Sequence, residues 1–237
     1  MLRIGWLDDA YDRQPRILLL RLPDGEISGR LGWLLGPTHY NRPRKWLPFA
    51  LDNDAFVLRD KWQESDWLEM LDKVRMSGQR PSWVLIPDSV GNREQTIALW
   101  QQYAPQARRY GWPLAFAVQD GMTAADVPHD TDVVFVGGTT RWKWQSLPMW
   151  ASNFPRIHVG RVNQLHRLWT CEEHGVESVD GTGWMREGDD GKRMRPMLRW
   201  LAGERNETPE LPLAVMRPNG RDERPRDNRG RPTHRYQ

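Results

Sequence analysis

Polar residues that can bind or transform a ligand follow several short apolar runs of this chain. Asp52, Asp88 and Asp180 each lie at or just after such a run. Gln119 and the pair Gly137–Gly138 follow two others. One carboxylate can attack an anomeric carbon while another group manages protons, which is the chemistry of glycosidic bonds. A further carboxylate, an amide side chain and exposed backbone N–H groups match the donors and the acceptor on the edge of guanine.

The segment 156–184 predicts a strand, a helix and a second strand. Its first run is short and apolar and stops at Gly160, and Gly175 ends the helix that follows. Val176–Val179 rebuilds an extended run, which brings Asp180 into a glycine-containing turn. An isolated Asp-Gly is more often a turn cap, so the interpretation of Asp180 depends on the rest of the chain. The helix is indicated by the apolar spacing of Val162, Leu165, Leu168 and Trp169.

The elements that must position these residues alternate between short apolar strands and amphipathic helices. Successive strands are spaced by roughly twenty to thirty residues, and this alternation is typical of parallel βα units. The predicted strands are Ile17–Leu22, Leu31–Leu35, Leu47–Leu51, Trp83–Ile86, Leu114–Val118, Val133–Val136, Arg156–Val159 and Val176–Val179. The predicted helices, besides the one in 156–184, are Ser65–Met76, a helix capped by Asn92, Trp142–Ser152 interrupted at Pro148, and Arg193–Leu201.

Seven or eight such strands predict an α/β protein with a TIM-like (β/α)8 barrel, complete or reduced, over residues 1–203. An open doubly wound sheet is the alternative, although the chain has neither a dinucleotide fingerprint nor a P-loop. In a parallel barrel the carboxyl ends of all strands open onto one face. We therefore expect the polar residues at the strand ends to form one cluster.

The positive charge of the chain is concentrated in its last residues. The net charge is +3, whereas the segment 217–237 has seven arginines against Asp222, Glu223 and Asp227, a balance of +4. We expect residues 204–237 to form a disordered, Arg/Pro/Gly-rich tail. Such a tail is either a solvated terminus or an arm for a phosphate backbone.

Other features of the composition exclude several classes of protein. The single cysteine, Cys171, excludes an internal disulfide framework and a multi-cysteine zinc site. His158 is the only obvious metal ligand near the strand ends, so we expect neither a metal nor a cofactor. No apolar run approaches the ~18 residues of a membrane span, and the N-terminus lacks a signal-peptide core. We expect a soluble, cytoplasmic protein that does not bind a membrane.

Five short motifs resemble those of one family, the queuine/archaeosine tRNA-guanine transglycosylases and their DNA-acting relatives. The resemblance covers about residues 47–184. The motifs are LDNDAF at 51–56, IPDS at 86–89, FAVQDG at 116–121, FVGGT at 135–139 and HVGRVNQLHRLWTCEEHGVESVDGT at 158–182. Two features depart from the tRNA enzymes of that family: the Cys-rich zinc site is missing, and Asn53-Asp54-Ala55 replaces Ser-Gly-Gly. The chain is therefore more similar to the reduced relatives that insert 7-deazaguanine bases into DNA.

The resemblance implies a DNA guanine transglycosylase that exchanges guanine for a base of the preQ0 type. It identifies Asp180 as the nucleophile that forms a covalent aspartyl–nucleotide intermediate, and Asp52 as the group that handles protons or positions the base. The base-binding residues it implies are Asp88, Gln119, Gly137 and Gly138. Arg161 and Asn163, at a predicted helix N-terminus, are candidates for holding a phosphate, with surface capping as the alternative. The implied partners are DNA, the 7-deazaguanine base and other proteins of a DNA-modification system.

Three alternatives stay open at this point. The first is the same reaction on tRNA, and the second is a non-catalytic nucleic-acid-binding subunit of the same family. The third is an unrelated barrel enzyme that acts on a small nucleoside or sugar.

Overall fold

Eight strands form a closed barrel in which each strand lies beside its neighbours in the sequence. The computed structural model describes the backbone of residues 16–20 and residues 31–185 and 194–204. The strands are β1 (Arg16–Leu20), β2 (Leu31–Leu35), β3 (Phe49–Leu51), β4 (Val84–Leu85), β5 (Leu114–Val118), β6 (Val133–Val136), β7 (Ile157–Val159) and β8 (Ser178–Gly181). The predicted TIM-like α/β barrel is confirmed, and the open-sheet alternative is excluded.

Six α-helices accompany the strands within the described residues. They are α1 (Ala55–Leu58), α2 (Glu64–Met76), α3 (Arg93–Arg108), α4 (Thr140–Asn153), α5 (Leu165–Glu173) and α6 (Met194–Leu201). The start of α3 is fixed by the Asn92 side chain, which accepts the Gln95 N–H at 3.0 Å. This is the N-cap that the sequence predicts.

The first strand runs against the other seven. β2 to β8 are parallel in succession, whereas β1 pairs antiparallel with both β2 and β8 and so closes the barrel. The prediction of parallel units is therefore wrong for β1. The physical reason lies in the connection, because the segment 21–30 is too short for a helical crossover, which needs a dozen or more residues.

Two helix predictions also need correction. α4 continues through Pro148, and its buried residues Lys143, Leu147 and Trp150 follow helical spacing along one stripe. The packing of that stripe outweighs the loss of one backbone donor at the proline. α5 begins at Leu165, so Val162 lies in the loop before the helix.

The barrel interior is filled by side chains that alternate along the strands. Trp83 is fully buried there, and small alanines on the neighbouring strands β3 and β5 belong to the same cluster. This inner cluster consists of Leu34, Ala50, Trp83, Leu85, Ala115, Ala117 and Val133. A second, larger core lies between the barrel and its helices and contains Trp67, Leu71, Leu147, Trp150 and Leu168 among others.

The predicted tail 204–237 lies, apart from Glu204, outside the described residues. Among the helices that the structure describes, none has the length and apolar character needed to cross a bilayer.

We predict that Trp83→Ala lowers the free energy of unfolding by about 3–5 kcal/mol, because it empties the barrel interior. Met76→Ala is the control, since Met76 is 81% exposed, and its effect should stay within about 0.5 kcal/mol. Urea denaturation of both variants measures the difference. A loss below about 1 kcal/mol for Trp83→Ala would contradict this account of the core.

Candidate functional site

A cavity of about 280 Å³ opens at the carboxyl ends of the parallel strands. Eight residues singled out in the sequence line it, although they are spread over some 130 positions of the chain. They are Asp52, Asp88, Gln119, Gly137, Gly138, Arg161, Asn163 and Asp180. The remaining wall is largely apolar and includes Leu85, Ala117 and Phe135. The barrel thus brings together every predicted site residue, while their chemical roles stay predictions.

Asp180 lies in β8 and is 7% exposed. Its Oδ1 accepts two hydrogen bonds, one from the backbone N–H of Arg161 at 3.0 Å and one from His158 Nε2 at 3.1 Å. Gly160 allows this approach, because a Cβ there would lie 3.3 Å from Oδ1 and 2.9 Å from the Phe135 ring. The carboxylate is therefore held in one orientation at the cavity wall.

His158 supports Asp180 from inside the barrel. Its ring is fully buried, with the ring centres of Trp83 and Phe135 at 4.7 and 4.6 Å. Its Nδ1 lies 2.8 Å from Ser178 Oγ. Because an ionised carboxylate only accepts hydrogen bonds, we assign the proton to Nε2, and Nδ1 then accepts from the Ser178 hydroxyl.

Asp88 forms the centre of a second hydrogen-bonded group on the opposite part of the wall. Asn53 Nδ2 donates to Oδ1 at 2.8 Å, and Gln119 Nε2 donates to Oδ2 at 2.8 Å. The Gly91 N–H in turn donates to Gln119 Oε1 at 3.0 Å, which fixes the direction of the amide. Burial and the nearby charge of Asp52 raise the pKa of Asp88 to about 6, against the donated hydrogen bonds.

The Asn53-Asp54 pair, which replaces small residues of the resembled motif, is structural in part. Asp54 is buried with a positive φ of 58° and accepts the Thr38 N–H and hydroxyl at 2.9 and 2.8 Å. It thereby ties the loop after β2 to the loop after β3. Asn53 orients Asp88, and the half-buried Asp52 lines the cavity beside them.

The backbone N–H groups of Gly137 and Gly138, both predicted to bind the base, differ in their hydrogen bonding. The Gly137 N–H donates to Val118 O at 3.2 Å, so this backbone group is already used within the barrel. Gly138 has a positive φ of 66°, and its N–H makes no hydrogen bond to the described residues. Of the two glycine amides, only that of Gly138 therefore makes no hydrogen bond within the described residues.

Arg161 and Asn163 do not lie at a helix N-terminus, because α5 begins two residues after Asn163, with Gln164 as N-cap. Arg161 Nη2 donates to Gly138 O at 2.5 Å, and the guanidinium lies 4.7 Å from the Phe56 ring centre. Asn163 Oδ1 accepts the Gly183 N–H at 2.7 Å. Both side chains therefore brace the loops of the cavity, and phosphate binding by them stays a prediction.

The sequence interpretation missed the positioning role of His158, which it had considered only as a metal ligand. The signal was present, since a histidine in the middle of the apolar run Ile157–Val159 pairs in register with Ser178, two residues before Asp180. Cys171 is buried on α5 as expected, and burial raises the pKa of its thiol to about 12. No group of three or more His, Cys, Asp or Glu side chains in the described part of the chain is arranged to hold a metal ion.

Comparison with known proteins does not identify a family for this chain. No protein-family model and no curated protein matches this chain. One similar solved structure is BlrP1 from Klebsiella pneumoniae, a complex with manganese and cyclic di-GMP at pH 9.0, with a TM-score of 0.40 and 11% identity. The match covers 74% of this chain and 56% of that one. The function must therefore be argued from the cavity itself.

We predict that the pKa of the Asp88 carboxyl falls in Asp52→Asn, because a like charge is removed, and rises in Asn53→Leu, because a donor is lost. Titration of the ¹³C-carboxyl resonance measures both changes. Asp132→Asn is the control, because Asp132 precedes β6 at the other end of the barrel.

Because the folded pKa of Asp88 exceeds the ordinary value of about 4, ionisation of Asp88 should lower the free energy of unfolding as the pH rises through about 4 to 6. An Asp88 pKa that is unchanged in Asp52→Asn would contradict the view that the charge of Asp52 raises it.

Proposed function

We propose that this protein is a DNA guanine transglycosylase, which exchanges guanine for a 7-deazaguanine base of the preQ0 type. The observation that carries the proposal is the position of Asp180. Its carboxylate is held by two N–H donors on the wall of the same small cavity that contains Asp88 and Gln119. Ligand pockets commonly span about 300–1,000 Å³, so this one suits a single purine with part of its sugar.

Asp180 is assigned the role of nucleophile. Its carboxylate attacks C1′ of a deoxyguanosine, the C1′–N9 bond breaks, and its electron pair leaves with guanine. The departing base takes a proton from solvent, and Asp52, which lines the same cavity as a carboxylate, is left free to accept a proton in the next step. The 7-deazaguanine then loses its N9 proton to Asp52 and attacks C1′, and Asp180 is released as carboxylate. Two displacements at one carbon give net retention of configuration.

The Asp88–Gln119 pair is assigned to the base edge. The Asp88 carboxylate accepts the ring and exocyclic N–H donors of guanine, whereas the second Nε2 proton of Gln119 and the Gly138 N–H serve its carbonyl. An ionised Asp88 is required for this recognition, and a pKa of about 6 leaves it mostly ionised at neutral pH. A neutral Asp88 would present a donor where the base also has donors, and binding would weaken below about pH 6.

The choice of DNA over tRNA rests on the composition. The tRNA enzymes that the motifs resemble have a Cys-rich zinc site, whereas this chain has one cysteine, which is buried. In duplex DNA the target base must leave the stack, which fits a cavity recessed at a barrel mouth. The tRNA reaction remains the alternative, as does a non-catalytic nucleic-acid-binding subunit, against which the joint presence of Asp52 and Asp180 in one cavity argues.

We predict that Asp180→Asn abolishes incorporation of radiolabelled 7-deazaguanine into DNA, by at least about 10³-fold, because the nucleophile is lost. Asp132→Asn is the matched control and should retain activity. The wild type should also form a denaturant-resistant adduct with guanine-containing DNA when free base is withheld. Parallel incubation with unmodified tRNA identifies the true acceptor. Full incorporation by Asp180→Asn would remove Asp180 from this role.

We predict that His158→Leu lowers kcat about 10²-fold with little change in KM, because one donor to the reacting carboxylate is lost. His158→Gln places an amide N–H near the position of Nε2 and should restore much of the rate. Both replacements fill similar space between Trp83 and Phe135, so their stabilities serve as the control. Equal kcat values for the Leu and Gln variants would show that His158 only fills space.

A further inference from the structure

Lys143 is a buried cation that the proposed reaction does not use. It lies on α4 with only 1% of its surface exposed, on the same stripe as Leu147 and Trp150. Lysine is almost never fully buried unless it is paired, because its charged form loses its hydration. Burial, and next the nearby charge of Arg161, lower the pKa of Lys143 to about 8, so it still carries its charge at neutral pH.

The hydrogen-bond partner of Lys143 is a backbone carbonyl, while the charge of the Asp180 carboxylate stabilises the ammonium from nearby. Its Nζ donates a hydrogen bond to Gly160 O. That oxygen belongs to the peptide group whose N–H is contributed by Arg161, and this N–H donates to Asp180 Oδ1 at 3.0 Å. One peptide group thus connects the buried ammonium to the buried carboxylate.

The loop after β7 contains a residue in an unfavourable backbone conformation. Arg161 has a φ of 60°, in the left-handed region that costs a non-glycine residue roughly 1 kcal/mol or more. In this conformation its N–H is directed at Asp180 and its side chain reaches Gly138 O. The two contacts on either side of the Gly160–Arg161 peptide, from Lys143 and to Asp180, hold the loop in place.

We propose that Lys143 is a positioning residue for Asp180, which acts through the Gly160–Arg161 peptide. A cation at the carbonyl oxygen polarises the peptide and makes its N–H a stronger donor, since hydrogen bonds in a chain strengthen one another. Lys143 is not among the residues that line the cavity, so its assigned role is that of a positioning residue. Its function is to fix and stabilise the carboxylate form of Asp180.

The consequence for the proposed reaction falls on the second displacement. There the electron pair of the incoming base forms the C1′–N9 bond, and the pair of the C1′–O bond returns to Asp180. The returning negative charge meets N–H donors that are already in place, which lowers the barrier to release. This part of the inference rests on the proposed function, whereas the polarised peptide does not.

The test uses Lys143→Met, which keeps the length and apolar stem of the side chain and removes the charge. Leu147→Met, one turn later on the same buried stripe, is the matched control for repacking of α4. Lys143→Gln, which keeps a neutral donor for Gly160 O, is the second variant should Lys143→Met fold poorly. The amide resonance of Arg161 in a ¹H–¹⁵N spectrum reports the Asp180 hydrogen bond directly, without any activity.

The Arg161 amide proton should move upfield and exchange faster in Lys143→Met, and less so in Lys143→Gln. The kcat for base exchange should fall about 10- to 100-fold in Lys143→Met with an unchanged KM, because a remote contribution is smaller than a lost donor. Unfolding stability should be equal or higher, since a buried charge has been replaced by an apolar group. Leu147→Met should resemble the wild type in all three measurements.

Two results would overturn the inference: an Arg161 amide unchanged in both Lys143 variants, or a moved amide with an unchanged kcat in an active enzyme. If the wild type exchanges no base in DNA or tRNA, the proposed function fails. The Arg161 resonance then decides alone whether Lys143 acts on Asp180.

Discussion

A buried carboxylate needs hydrogen-bond donors, and Asp180 imposes that requirement on the whole mouth of the barrel. An ionised group with 7% exposure is stable only where the protein replaces its hydration. Here one donor comes from a histidine inside the barrel, and the other comes from a backbone group of a loop. The aromatic rings around His158, the left-handed residue after β7 and the glycine beside it all follow from that need.

Asp88, at another part of the cavity wall, is held by side-chain amides. Asp88 is surrounded by amide groups of Asn53 and Gln119, which donate to it without neutralising its charge. Burial, and next the charge of Asp52, raise its pKa in spite of these hydrogen bonds, whereas a cationic partner would lower it. The cavity thus contains acids held by different means, and such differences allow groups of one residue type to take different roles.

Much of this arrangement was predictable from the sequence. The apolar runs at 114–118 and 133–136 match β5 and β6 residue for residue, because a strand buried on both faces leaves an unmistakable pattern. The convergence of the strand-end residues followed from barrel geometry alone. The direction of β1 did not follow, because an apolar run gives no sign of its polarity, and only the short connection to β2 hinted at it.

Contacts that pass through the backbone were also beyond prediction. A lysine at helical spacing from Leu147 and Trp150 was visible in the sequence, yet nothing there links it to a peptide group seventeen residues later. Gly137 and Gly138 are likewise equivalent in the sequence, and only the register of β5 and β6 decides which N–H is hydrogen-bonded within the barrel. Side-chain chemistry can be read from residue types, whereas the use of backbone groups requires coordinates.

The reversed direction of β1 changes how the polypeptide enters the barrel. Arg16 pairs with Leu34 and Ile17 with Gly181, so this strand begins at the rim where the cavity lies and runs toward the other end of the barrel. The chain leaves β2 to β8 at this rim, whereas it enters β1 there. Arg16, the first described residue of the chain, therefore lies at the rim of the cavity, and Leu20 lies toward the opposite end of the barrel.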